Sequence, residues 1–314
     1  MKEVLKMKFP DNKKFAFSIF DDTDRATVEN TKPIYSLLEN LKIYTTKSVF
    51  VFSNKNPLKE ADKGDSLENP DYLSFILGLR DKGFEIGFHG AMGGSSQREE
   101  IKKALEIFKE KIGYYPETYA NHLSNKESIY WGKDRLDSYF LKFLYSLATV
   151  KRKQKFEGHL PNSEYFWGDL IKERITYTRN FVFNKINLLK INPSLPYHNP
   201  KNPYVNFWFS SSNGHDVDEF NKLINPKNID KLEREGGVCL VYTHFANDFV
   251  KNGKINKTTV ELLTGLSQRN GWFAPISDIL DFLRKNKKYD DIPCWEKTKM
   301  EYKWFISKII HGTN

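Results

Sequence analysis

The stretch FAFSIFDDTDR, residues 15–25, sets the reading of this chain. Apolar or small residues from Phe15 to Phe20 run straight into carboxylates at Asp21, Asp22 and Asp24. A run that is apolar at successive positions, rather than at alternate ones, suits a parallel strand covered by helices on both faces. A buried strand does not end in that much negative charge without a reason. Taken alone, the stretch fits a metal site, a phosphate-transfer site or a solvated turn.

Working outward, short apolar runs alternate with amphipathic helical patterns. Thr31 is placed to cap a helix through PIYSLLENL, with Pro33 in its first turn. SVFVF (48–52) reads as a second strand. Asn69 then caps a helix that Pro70 opens and Gly83 closes. FEIGF (84–88) is a third strand. Ser96 and Glu99 have the spacing of a capping box, before a stripe of Ile101, Ala104, Leu105, Phe108 and Ile112. TYANH (118–122) is a short fourth strand, and VCLVYTH (238–244) a late one. A helix near 259–266 leads to WFAPI (272–276), after which Ser277 caps a last amphipathic helix. This alternation implies βαβ units and a parallel sheet, either a closed β/α barrel or an open doubly wound sheet. The span of about 150–225 breaks the rhythm with Pro, Asn, Tyr and Trp, and reads as long loops elaborating one face of a single domain, 1–314.

Composition narrows the function. The chain has 314 residues, 39% hydrophobic and 15% aromatic, enough for a large globular core. Its net charge is +9, yet the lysines are dispersed. The densest run, KRKQK (151–155), reads as a solvated loop, and no zinc-finger or ribonucleoprotein signature supports nucleic-acid binding. The two cysteines, Cys239 and Cys294, form no disulfide framework, which fits a reducing compartment. The N-terminal segment lacks the apolar core of a secretory signal, and no run approaches the ~20 apolar residues of a membrane span. The expected location is cytoplasmic. The tail from about 294 to 314 is amphipathic and expected to dock on the barrel, with a membrane surface as the alternative.

The candidate chemistry sits at C-terminal strand ends, the edge where parallel α/β folds bind ligands. There the sequence places Asp21, Asp22 and Asp24, then His89, then Asn121-His122, then His244. Adjacent aspartates at a strand exit point opposite ways, so one can face a metal while the other faces substrate. One Asp with two His ligands leaves open positions on a zinc-like ion. His159, His198 and His215 fall in the elaborated middle and read as surface or loop-bracing residues, although His215 is within reach of the site. His311 is at the tail, away from it.

These pieces resemble the polysaccharide deacetylases of the carbohydrate-esterase type. FSIFDDTD resembles that family's first motif, EIGFHG its second, LVYTHF its late Leu–His motif, and GWFAPISDILDFL its closing strand and helix. The resemblance implies an irregular (β/α) barrel of about seven parallel strands. It implies Asp21 as catalytic base, Asp22 and His89 as metal ligands, and His244 as general acid. The family's second histidine would fall at Gly93, and its expected fourth-strand arginine is missing from YANHLS. His122 is the expected replacement ligand. The implied cofactor is a divalent transition metal, zinc foremost, with cobalt or nickel as alternatives. The implied reaction is removal of an N- or O-acetyl group from a sugar or glycan. Asn121, Trp131, Asp169 and Trp208 are expected to bind substrate, Asp169 by bonding a hydroxyl or orienting His244. Trp167, Tyr197 and Tyr204 are further stacking candidates. Asp24 has no assigned role beyond capping the next helix or touching substrate.

Two other functions fit parts of the sequence. Asp22-Thr23-Asp24 resembles the Asp-x-Asp of haloacid-dehalogenase-type phosphatases, but Ala26 stands where that motif expects threonine, and the three histidines are left unused. A non-catalytic glycan-binding module of the deacetylase fold is the other, and it needs neither a base nor an acid.

Overall fold

The structure is a computed structural model that describes residues 8–54, 57, 63–123, 125–149 and 154–311. Residues 151–153 of the basic run, and the first seven of the chain, lie outside the described residues.

Seven parallel strands close into a barrel: β1 (Phe15–Asp21), β2 (Thr46–Val49), β3 (Glu85–Phe88), β4 (Thr118–Ala120), β5 (Tyr177–Phe183), β6 (Phe207–Asn213) and β7 (Val238–Thr243). β7 returns to pair with β1 from Ala16↔Val238 to Asp21↔Thr243, which closes the ring. A small antiparallel hairpin, β8 (Val250–Lys251) and β9 (Lys254–Ile255), stands apart. β10 (Gly271–Phe273) pairs with the first half of β1, while β2 pairs only with Phe20 and Asp21. β1 therefore has a neighbour along both edges and is buried at all seven positions, as its continuous apolar run requires.

The connecting helices are α1 (Val28–Asn40), α2 (Pro70–Asp81), α3 (Arg98–Ile112), α4 (Tyr139–Thr149), α5 (Gly168–Arg174), α6 (Val217–Leu223), α7 (Pro226–Glu235), α8 (Lys257–Ser267), α9 (Ile276–Lys285) and α10 (Cys294–His311). Asn69 caps α2 ahead of Pro70, as expected. Three helix starts differ from the sequence reading. Thr27, not Thr31, caps α1 in a box with Asn30, so Pro33 lies inside the helix. Gln97 and Glu100, not Ser96 and Glu99, form the box of α3. Ser277 lies inside α9, whose cap is Pro275. Each shift is about a turn or less; in α1 Thr27 satisfies the free N–H groups instead of Thr31, while α9 starts without a side-chain cap.

The larger correction concerns the middle. The span read as loops contains β5 and β6, two of the seven barrel strands. β6 reads FWFSSSN, and Ser210, Ser211 and Ser212 are completely buried. A barrel strand fills a narrow interior with small side chains, so this polar run escapes a search for apolar ones. β5 carries Arg179 in its middle, and a charge there also argues against a strand until its partner is seen.

At the N-terminal end of the barrel, Glu85 ties several elements together. Its carboxylate accepts from Thr46 Oγ1 at 2.5 Å, Thr118 Oγ1 at 2.8 Å and the Ser277 amide at 3.2 Å. Burial pushes this carboxyl up from 4.5 to about 7, against those hydrogen bonds. Between these two values the folded barrel keeps a proton that the unfolded chain has lost. Stability therefore falls as pH rises from about 4.5 to about 7 and levels off above. Glu85→Gln, which mimics the protonated form, is expected to flatten this slope in denaturant midpoints across the window. An unchanged slope in the variant would assign the pH dependence elsewhere.

Candidate functional site

The site begins with the alternation of side chains along β1. The ladder continues one residue past the strand, through Asp22 N–H to Thr243 O at 2.9 Å. A turn then follows, closed by Ala26 N–H to Thr23 O at 2.9 Å, with Arg25 in the left-handed region at φ 59°. Side chains alternate through Asp24. Asp21 and Thr23 point outward, toward the helices. Asp22 and Asp24 point inward, into the mouth of the barrel.

The outward pair is structural. Asp21 sits opposite Lys47 in the β1–β2 register, and the two form an ion pair at 2.9 Å with both side chains fully buried. Asp21 also accepts from Tyr35 Oη on α1 at 3.1 Å and from the Phe245 amide at 2.8 Å. Burial pushes the Asp21 carboxyl up on balance, against Lys47 and the other donors, which pull it down. Three donors are nonetheless aimed at this one carboxylate. Burial also opposes the Lys47 ammonium, yet the facing Asp21 outweighs it and raises that pKa. Thr23 bonds Tyr72 of α2 at 3.0 Å.

The inward pair faces a cavity of about 200 Å³ at the C-terminal rim, lined by Asp22, Asp24, His89, Asn121, His122, Trp131, Arg179, His215 and His244, among others. Asp22 is gripped by both guanidinium arms of Arg179, at 2.8 and 2.6 Å. Burial alone would raise the Asp22 carboxyl, but Arg179 first and His89 next hold it below the usual carboxylate range. Arg179 lies between the Phe20 and Tyr242 rings, at 5.0 and 4.3 Å from their centroids, so its own position is fixed.

Three imidazoles converge on Asp24. The distances are 2.7 Å to His122 Nε2, 3.0 Å to His244 Nε2 and 3.4 Å to His89 Nε2. Against the cost of burial, His122 and the other two imidazoles hold the Asp24 carboxyl well below its ordinary value. Asp24, His89 and His122 form one group able to hold a metal ion, and Asp22, Asp24 and His244 another.

The donor set fits a cation. Asn125 donates its amide N–H to Gly94 O and Glu127 Oε1, which turns its Oδ1 to His122 Nδ1 at 3.1 Å. This contact orients the ring so that Nε2 faces the Asp24 carboxylate at 2.7 Å; with its proton on Nδ1, the neutral imidazole offers Nε2 to a cation. His89 is buried, with Nδ1 lacking a hydrogen-bond partner and Nε2 3.4 Å from Asp24 Oδ2. A carboxylate and two imidazoles are suitable ligands for a zinc-like ion. His244 differs. Its Nδ1 bonds the carbonyl of His215 at 3.0 Å. Burial opposes its protonation, but Asp24 and Asp22 raise its pKa on balance.

Of the residues expected to form the site, Asp22, His89, His122, His244, Asn121 and Trp131 line the cavity. Asn121 is already engaged, accepting from the Ile129 amide and Tyr119 Oη and donating to Ile129 O. Three residues do not line it. Asp21 faces Lys47 instead. Asp169 forms a two-armed pair with Arg98 on the surface, at 2.6 and 2.7 Å. Trp208 is buried, with its indole N–H on Asn202 Oδ1 at 3.1 Å. Trp167 and Tyr197 are buried as well, and Tyr204 packs against Phe166 and Tyr130. Sequence reasoning left Asp24 without a firm role and missed Arg179 and Tyr242. For the first, alternation along β1 was the available clue; for the second, a lone arginine in the aromatic-rich segment YTRNFVF.

No protein-family profile matches this chain, and no curated relative is found by sequence. Solved structures share its fold. A protein described as a polysaccharide deacetylase from Mycobacterium smegmatis superposes with a TM-score of 0.55 at 12% identity, covering 92% of this chain and 96% of the other. The allantoinase PuuE gives 0.52 at 14%, over 90% and 94%. A protein described as a polysaccharide deacetylase from Pseudomonas aeruginosa PAO1 gives 0.52 at 13%, over 90% and 94%. The expected deacetylase-type barrel is thus the observed fold.

Removing one partner of a buried ion pair strands the other charge, at a cost of about 3–5 kcal/mol. Lys47→Met is expected to lose that much in chemical denaturation. The double variant Asp21→Asn/Lys47→Met should recover most of it. A single variant as stable as wild type would show that the pair is not needed to hold this layer.

Proposed function

We propose that this protein is a metal-dependent hydrolase that removes an acetyl group from an acetylated sugar, with roles on β1 displaced from those the sequence resemblance implies. The observation that carries the reading is Asp22, an anionic carboxylate fixed by Arg179, facing a cluster of metal-ligand type with a protonatable imidazole beside it. Asp24, His89 and His122 would hold the ion, a divalent transition metal such as zinc. When bound, it supplies Lewis acidity toward water and an acyl carbonyl.

The chain's own residues account for the proton movements. Asp22 accepts the proton of the attacking water, the task of a general base. Arg179 keeps that carboxylate ionised and aimed into the cavity. The water oxygen bonds to the acetyl carbon, and the carbon–nitrogen or carbon–oxygen bond to the sugar breaks. His244, anchored through Nδ1 to the His215 carbonyl, gives its Nε2 proton to the departing amine or alcohol. Free acetate and the deacetylated sugar are the products. Asp21, the base implied by the resemblance, is too enclosed by its partners to reach substrate. It acts one step back. Its bond to the Phe245 amide fixes the residue next to His244. A cavity of about 200 Å³ is small for a binding site, and suits an acetamido group with part of one sugar ring. Trp131 on its wall offers a face for the ring. The shared barrel supports this assignment, since proteins described as polysaccharide deacetylases adopt it.

Metal analysis together with acetate release from N-acetylated oligosaccharides tests the proposal. Wild type is expected to carry one transition metal ion per chain, lost in Asp24→Ala, His89→Ala and His122→Ala. Asp22→Asn should keep the metal while acetate release drops by about 10²–10⁴-fold. The proposal fails if no divalent metal supports release, or if Asp22→Asn works at the wild-type rate.

A further inference from the structure

Helix α10 covers the barrel with one face only. Met300 and Trp304 are buried, as are Lys297 and Glu301, which pair with each other at 2.5 Å. Its other side leaves Ile306, Ile309 and Ile310 exposed at 52, 71 and 65%. Helix α4 packs against α10, with Tyr145 stacked on Trp304 at 6.2 Å. It exposes Phe140, Phe143 and Leu147 at 58, 61 and 58%. Single exposed apolar residues are ordinary. A helical stripe on each of two neighbouring helices marks a surface that binds something.

Charge selects the occupant. Among the described side chains, every charged one that reaches solvent from these two helices is a lysine: Lys142, Lys299, Lys303 and Lys308. The acids of α10 are consumed inside the fold. Glu296 accepts from the Ser194 amide, and Glu301 from the Asp137 and Ser138 amides. A second copy docked symmetrically would bring these lysines together without acids to answer them. Beside Ile306 and Ile310 lies a groove of about 520 Å³ whose apolar wall includes Phe183 and Ile186. Lys185, Lys190, Lys231 and Lys303 also line it, with one acid, Glu235, already bonded to Asn187. Apolar stripes edged by lysine are the pattern of a helix that lies in a membrane interface.

We propose that α4 and α10 form a docking surface for membranes bearing anionic phospholipids. No described helix is long and apolar enough to cross a bilayer, and the attachment proposed for this surface is peripheral. The buried face of α10, beneath this surface, is linked to the candidate site through Arg135. The Arg135 guanidinium lies 3.5 Å from the Trp131 ring centroid and 4.8 Å from that of Trp304. Trp131 lines the site cavity, and Trp304 belongs to α10. Docking itself does not depend on the hydrolase reading.

The test is co-sedimentation of the full chain with vesicles of phosphatidylcholine alone, or mixed with phosphatidylglycerol. Binding is expected to the mixed vesicles and not to the neutral ones. Each lysine near an anionic surface is worth roughly a fivefold change in partitioning, so Lys299→Glu/Lys303→Glu/Lys308→Glu should weaken binding more than about a hundredfold. Ile306→Ser/Ile309→Ser should abolish it, with circular dichroism confirming that both variants fold. The proposal is overturned if wild type stays in the supernatant, or if either folded variant binds as well as wild type. It is also overturned if sedimentation without lipid shows a dimer that Phe143→Ser dissolves while vesicles are ignored.

Discussion

The buried ion pair between Asp21 and Lys47 is the constraint from which the site is built. Both charges are removed from water, so each depends on the other and on the donors around them. Tyr35 brings α1 to the pair, and the Phe245 amide brings the segment after β7. A single carboxylate thus ties β1, β2, α1 and the strand end that carries His244. Such a pair contributes little net stability compared with apolar packing of the same volume. What it contributes is register. A one-residue slip of β1 would turn Asp21 into the barrel, away from Tyr35 and the Phe245 amide.

With that register set, the inward side follows. Asp22 and Asp24 enter the same cavity from adjacent inward positions and are separated by their partners. Arg179 comes from β5, across the barrel, and gives Asp22 two parallel hydrogen bonds. The histidines after β3, β4 and β7 gather on Asp24. Two carboxylates so close would normally raise one another's pKa. Here each has its own cationic or imidazole partner, and both are held low. Both therefore remain anions, one available as a base and the other as a ligand.

Much of the fold was legible in the sequence because its signals are local. The apolar run of β1, Asn69-Pro70 before α2 and the stripe of α3 each declare an element without help from the rest of the chain. β5 and β6 were not legible, since Arg179 and the Ser210–Ser212 run look polar until the barrel interior supplies partners and a narrow space. The site was half legible for the same reason. His89, His122 and His244 follow recognisable strand ends. The choice among Asp21, Asp22 and Asp24 depends on where the ladder to β7 stops and how Arg25 turns the chain.

By itself the sequence determined a parallel α/β chain with carboxylates and histidines gathered at its strand ends, because strand and helix periods and strand-end positions are properties of a few consecutive residues. The tertiary structure alone decided which aspartate faces which partner. That depends on Lys47, 26 positions beyond Asp21, and on Arg179, 157 positions beyond Asp22. No local pattern connects residues so far apart, and only closure of the barrel brings them within hydrogen-bonding distance.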